Sequence, residues 1–162
     1  MLSMFKKVSL GFALAAMMAP SVAKAADGHF GVLPGFVWGK ASGSDSRTAF
    51  GIGAEVGYKF MPEFGVNATF LWSKKDGVTV MPFGVEGLWY SDFGLNAGLN
   101  LGMSRASGGG ASATDFYAGV TVGYDYPVAD MFTVGVKIPY SLVFSDTKFH
   151  SVGFLANASI WF

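Results

Sequence analysis

Phe93-Gly94-Leu95-Asn96-Ala97-Gly98-Leu99-Asn100-Leu101-Gly102-Met103-Ser104 alternates without an error. Odd positions carry Phe, Leu, Ala, Leu, Leu and Met; even positions carry Gly, Asn, Gly, Asn, Gly and Ser. Period two over a dozen residues means an extended strand with one greasy face and one face that is tiny or polar. Other segments share that bias, and nothing helical remains to cover the greasy faces. A soluble sandwich would need a second sheet for that purpose, so lipid is left as the cover.

Turn and loop signals divide the chain into eight such segments, near 29–40, 48–60, 64–73, 78–90, 93–104, 114–126, 131–144 and 149–162. Their lengths suit tilted strands, which cross a hydrocarbon layer in roughly 9–11 residues. Three connections read as tight: 61–63, 91–92 and 127–130. Four read as longer or more polar: 41–47, 74–77, 105–113 and 145–148. Short and long then alternate, the pattern expected when one end of the structure faces a confined space and the other faces outward. The clump Gly108-Gly109-Gly110 falls in a predicted loop.

Facing follows from parity. Outward sets include Phe50, Ile52, Val56 and Phe60; Phe64, Val66, Phe70 and Trp72; Phe116, Val120, Val122 and Tyr124; Val134, Val136 and Ile138; and Phe154, Ile160 and Phe162. None carries a charge, as required where Lys or Arg at mid-membrane costs about 2–4 kcal/mol. Aromatics gather at both ends of the strands around an aliphatic middle, as two membrane interfaces select. The expectation is an all-β fold, an eight-stranded antiparallel up-and-down transmembrane β-barrel.

Opposite parity defines the interior, rich in glycine and carrying Asn67, Asn96, Asn100, Thr121, Asn157 and Ser159. Five charged residues fall there: Glu55, Lys59, Glu86, Asp125 and Lys137. Eight strands enclose a space just wide enough for side chains to fill. The charges are expected to pair across it, since an isolated buried charge is strongly unfavourable. Pro34, Pro82 and Pro139 lie inside strands, where each removes a ladder donor. They are expected to mark β-bulges, with a lateral opening for a lipid tail as the alternative.

Residues 1–25 read as a cleaved export signal. Lys6 and Lys7 precede an apolar run from Val8 to Met18, and Ala23 and Ala25 supply the small residues before a cut at Ala26. Residues 26–162 are then the barrel. Cleavage takes Lys6, Lys7 and Lys24 from the 11 basic residues and none from the 11 acidic ones, leaving a formal net charge of −3. No basic patch invites nucleic acid. The absence of cysteine excludes disulfides and thiolate chemistry. Two distant histidines, His29 and His150, offer no metal-ligand spacing and no cofactor motif accompanies them.

With its signal, eight alternating segments and the closing strand Phe154-Leu155-Ala156-Asn157-Ala158-Ser159-Ile160-Trp161-Phe162, the chain resembles the small outer-membrane barrels of Gram-negative bacteria. These are the OmpA/OmpX type and the broad outer membrane protein beta-barrel family. The resemblance implies residence in the bacterial outer membrane, as a monomer among outer-membrane lipids and lipopolysaccharide. It also implies that Phe154, Ile160 and Phe162 form the signal read by the barrel-insertion machinery. A non-enzymatic structural or surface-interaction role with a side-chain-filled lumen is the leading expectation, with loops 41–47 and 105–113 as the contact surface. A narrow pore for small solutes or ions is the alternative. Some small barrels modify lipid A, and here only His150, Ser151, Ser145 and Asp146 lie near the required rim. Adjacent residues on a strand face opposite ways, however, and the His-x-Ser spacing of the deacylase family is lacking.

Overall fold

All eight expected segments are strands in the computed structural model, which describes residues 28–41, 45–145 and 148–162. They are β1 (Gly28–Ala41), β2 (Arg47–Met61), β3 (Phe64–Lys75), β4 (Val78–Tyr90), β5 (Leu95–Gly108), β6 (Ala111–Ala129), β7 (Phe132–Phe144) and β8 (Phe149–Trp161). Each pairs antiparallel with its sequence neighbours, and β8 returns to β1 to close a barrel. The seam ends on a reciprocal bond pair between the first described residue and the last: Gly28 N donates to Phe162 O at 3.0 Å, and Phe162 N to Gly28 O at 2.8 Å. The expected export signal, with Ala23 and Ala25, lies outside the described residues.

Parity holds through every strand. The outward positions named above are exposed or half-buried, while Gly51, Gly53, Glu55 and Gly57 in β2, and Gly153, Leu155, Asn157 and Ser159 in β8, are buried. Large apolar side chains such as Phe36, Val120, Val136, Phe154 and Ile160 therefore form the outer skin. This inversion, apolar outside and polar inside, is the arrangement that a hydrocarbon solvent stabilises.

Two expectations about connections are corrected. Residues 105–113 are not a loop: the β5–β6 ladder continues through Arg105↔Thr114 and Ser107↔Ser112 to Gly108↔Ala111. Gly109 and Gly110, at φ 59° and 85°, make a two-residue turn. Positive φ at both central residues matches the twist of the flanking strands, and glycine reaches it without steric cost. Asp76 and Gly77, at φ 50° and 76°, turn β3 into β4 in the same way, so 74–77 is not a long connection either. The outward face of the β5–β6 hairpin passes from Met103 and Phe116 to Arg105, Ser107, Ser112 and Thr114, so its tip stands in water beyond the apolar band.

The prolines are likewise not bulges. Pro34 pairs in register with Ile52, Pro82 with Ser104 and Pro139 with Thr121. On the other side of each, the ladder is interrupted and resumes unshifted: β1–β8 between Val32 and Gly35, β3–β4 between Val80 and Phe83, and β7–β8 between Lys137 and Tyr140. A proline lacks one donor, and that donor would have served only one neighbouring strand. The register shifts instead at Lys59/Met61 and Pro127/Ala129, beside turns.

The skin predicts a position-dependent charge penalty. Val120→Lys, in the apolar band of β6, should lower stability by about 2–4 kcal/mol, while Thr114→Lys on the same face above the band should change it little. Urea unfolding in lipid vesicles measures both.

Candidate functional site

Every strand contributes a side chain to the lumen, and two different environments result. Towards the β2–β3, β4–β5 and β6–β7 turns, the inward residues are long and polar. Towards the other end they are mostly small or aliphatic.

The polar half is built around Lys137 of β7, whose Nζ donates to Glu55 Oε2 of β2 at 2.5 Å and to Glu86 Oε2 of β4 at 2.6 Å. Each carboxylate has further donors. Asn67 Nδ2 reaches Glu55 Oε2 at 3.3 Å, and His29 Nε2 lies 3.6 Å from Glu55 Oε1. Thr121 donates its hydroxyl to Glu86 Oε1 at 2.9 Å and accepts from Asn100 Nδ2 at 2.9 Å. The three charged residues are almost entirely buried, a state tolerable only because each is both paired and hydrogen-bonded. One ammonium bridging two carboxylates spans the barrel as a tie between β2, β4 and β7.

The other two members of the expected cluster are held nearby. Asp125 accepts from Asn96 Nδ2 at 2.8 Å and from Asn157 Nδ2 at 3.0 Å, and Ser159 donates to Asn157 Oδ1 at 2.8 Å. Lys59 places its ammonium 4.2 Å from the Tyr90 ring centroid and 4.6 Å from that of Trp161. Such cation–π contacts strengthen where water is excluded. Trp161 also packs against His29, with ring centroids 4.3 Å apart and planes tilted by 33°, and donates to Thr133 Oγ1 at 3.1 Å. His29, Tyr90 and Trp161 were not read as lumen residues, although their parity with Glu55, Glu86 and Asn157 places them there. Three buried polar atoms here have no protein partner: His29 Nδ1, Asn67 Oδ1 and Asn96 Oδ1. They belong to residues lining a void of about 10 Å³, room for one water at most.

The outer half departs from the expected filled lumen. A cavity of about 510 Å³ begins above Lys137 and Glu86 and rises to Arg47, Lys75, Asp45 and Asp115 at the loop end. Its inward positions include Gly39, Ala49, Ser73, Ser104, Ala106 and Gly153, too short to reach the axis. Tyr117 lies flat on the β4–β5 wall, since a Cβ at Gly84 would sit 2.6 Å from its hydroxyl and one at Gly102 would sit 2.8 Å from its ring.

The catalytic candidates separate. His150 Nδ1 is 2.7 Å from the Tyr140 hydroxyl at an exposed site, whereas Ser151 and Ser145 line the cavity. Asp146 lies outside the described residues. Among the described residues, no group of three His, Cys, Asp or Glu side chains is placed to hold a metal. Phe154, Ile160 and Phe162 all point outward.

A closed eight-stranded antiparallel barrel with an apolar skin and a charged lumen defines a small outer-membrane protein of Gram-negative type. The outer membrane protein beta-barrel domain model matches residues 10–159, and the chain belongs to that family; it resides in the bacterial outer membrane. No curated protein matches the sequence. Among solved structures, Neisserial surface protein A is 16% identical with a TM-score of 0.68, over 86% of this chain and 98% of that one. Ail, the attachment invasion locus protein of Yersinia pestis, in complex with the heparin analogue sucrose octasulfate, is 12% identical with a TM-score of 0.60, over 85% and 100%. The outer membrane protein OprG of Pseudomonas aeruginosa is 15% identical with a TM-score of 0.54, over 86% and 97%. At these identities the likeness is one of fold.

Removing the central cation should expose the cost of the carboxylates. Lys137→Ala should destabilise the barrel by about 3–5 kcal/mol, because two buried charges lose their shared partner. Adding Glu55→Gln and Glu86→Gln should recover most of that loss, as urea unfolding in vesicles will report.

Proposed function

We propose that the protein is a non-enzymatic barrel of the outer membrane, sealed across its inner half and acting through its outer end as a structural or surface-interaction element. The observation that carries this reading is the Lys137–Glu55–Glu86 tie, with a void beside it of only about 10 Å³. A hydrated ion or a solute larger than water has no passage past it. The separation of His150 from Ser151 onto opposite faces supports a role without catalysis.

Charge distribution indicates which end does the work. Beyond the signal, the basic residues other than Lys59 and Lys137 are Lys40, Arg47, Lys74, Lys75, Arg105 and Lys148, and all lie at the loop end of the strands. Glu63, Asp92 and Asp130 lie at or beside the opposite turns. Asp45, Asp76 and Asp115 lie at the same end as those basic residues, so the collar they form is mixed, with a positive excess. That excess suits the phosphates of lipopolysaccharide in the outer leaflet, through charge-assisted bonds that are strongest at an interface of reduced dielectric. The same collar would meet other polyanions, and Ail with its sulfated sugar offers a precedent on the same fold. Insertion would proceed through the assembly machinery, reading Phe154, Ile160 and Phe162 after removal of residues 1–25.

Planar-bilayer recording tests the seal. Folded wild-type protein should give no current steps, while Glu55→Ala, Glu86→Ala and Lys137→Ala combined should introduce small ones. Steps from the wild type that change on neutralising Glu86 or Lys137 would replace this reading with a narrow pore.

A further inference from the structure

The geometry points to the outer half of the lumen as a binding cup for the alkyl tail of a water-borne, single-chain amphiphile. Its walls carry Leu33, Leu71, Tyr117, Val143, Phe149 and Leu155. Its floor is the Lys137–Glu86 pair, whose charges are already satisfied by each other, Glu55 and Thr121. A volume of about 510 Å³ falls within the 300–1,000 Å³ or so of small-molecule sites. Apolar side chains make up most of the wall, with Ser73, Asn100, Ser104 and Ser141 set among them. Water, which needs two to four polar partners per molecule, is held at those points and gains little against the Leu33, Tyr117, Val143 and Leu155 surfaces.

The source of the tail follows from the solvent on each side. An acyl chain leaving the bilayer for this cup exchanges one apolar surrounding for another and gains little. A chain arriving from water gains the full transfer free energy of its methylenes. The mouth lies at the loop end, towards water, where Asp45, Arg47, Lys75 and Asp115 line it. The rim carries Arg47 and Lys75 on adjacent strands, with Asp45 and Asp115 also present, so a polar head finds both donors and acceptors there. A cavity of about 510 Å³ with mostly apolar walls, a polar mouth and a closed base suits a single unbranched tail better than a two-chain lipid. The sealed base makes it a holding site and not a conduit.

The probe is decanoic acid bearing a diazirine at the far end of its chain, added from water to the folded barrel in phospholipid nanodiscs. After photolysis, mass spectrometry maps the adducts. Adducts on the inward residues Leu33, Val143 and Leu155 are expected, together with background adducts on the lipid-facing skin. Ala106→Trp fills the cup and should abolish the inward adducts while leaving those on the skin; Ala49→Trp serves if that variant does not fold. Adducts confined to outward positions such as Val120, Phe154 and Ile160, unchanged by either filling variant, would overturn the inference. That result is distinguishable from a failure of the seal, which is read as current and not as labelling.

Discussion

Hydrocarbon offers no hydrogen bonds, so each backbone amide and carbonyl in the membrane must find its partner within the protein. For a chain built of strands, the only complete solution is closure. The β1–β8 seam supplies it, running from Ala41↔Phe149 at the loop end to the reciprocal Gly28–Phe162 pair at the other. The aromatic at the end of the sequence is thus part of the seam as well as of the skin. Once the cylinder is closed, parity ceases to be a local matter. A slip of one residue in any strand would turn an apolar face inward and a polar face into lipid.

Closure also dictates the lumen. Eight strands leave little space, and the side chains directed into it either meet across the axis or fall short. In the inner half they meet, and low dielectric makes the Lys137 tie strong only while all of its partners are present. The network is a structural keystone in the sense that three strands converge on one ammonium. In the outer half the same parity delivers glycine, alanine and serine among Leu33, Tyr117, Val143 and Leu155, and the space stays open. One interior rule therefore yields a plug and a cup, differing in the size and polarity of the inward side chains.

The strands and their facing were legible because alternation is written into consecutive residues. What was hidden depended on pairing. Gly108-Gly109-Gly110 looked like a loop, yet glycine pairs are also the natural residues of a tight primed turn, and only the continued Arg105↔Thr114 ladder distinguishes the two. The prolines looked incompatible with an unshifted ladder, but each gives up bonds on one side alone. Parity placed the five lumen charges in one space but did not say which touch. Lys137 meets Glu55 and Glu86 from 82 and 51 residues away, distances at which only register decides. The cup was hidden for a simpler reason: Leu33, Tyr117, Val143 and Leu155 share the inward parity but are apolar, so polarity alone does not mark them as lumen residues.

Amide hydrogen exchange along the β1–β8 seam, in a lipid bilayer, tests the central claim most directly. Closure predicts that Phe36, Val37 and Phe154 exchange as slowly as residues such as Leu99 and Val120 in the β5–β6 ladder. Rapid exchange along β1 and β8, with protection retained elsewhere, would mean an open sheet and contradict the account.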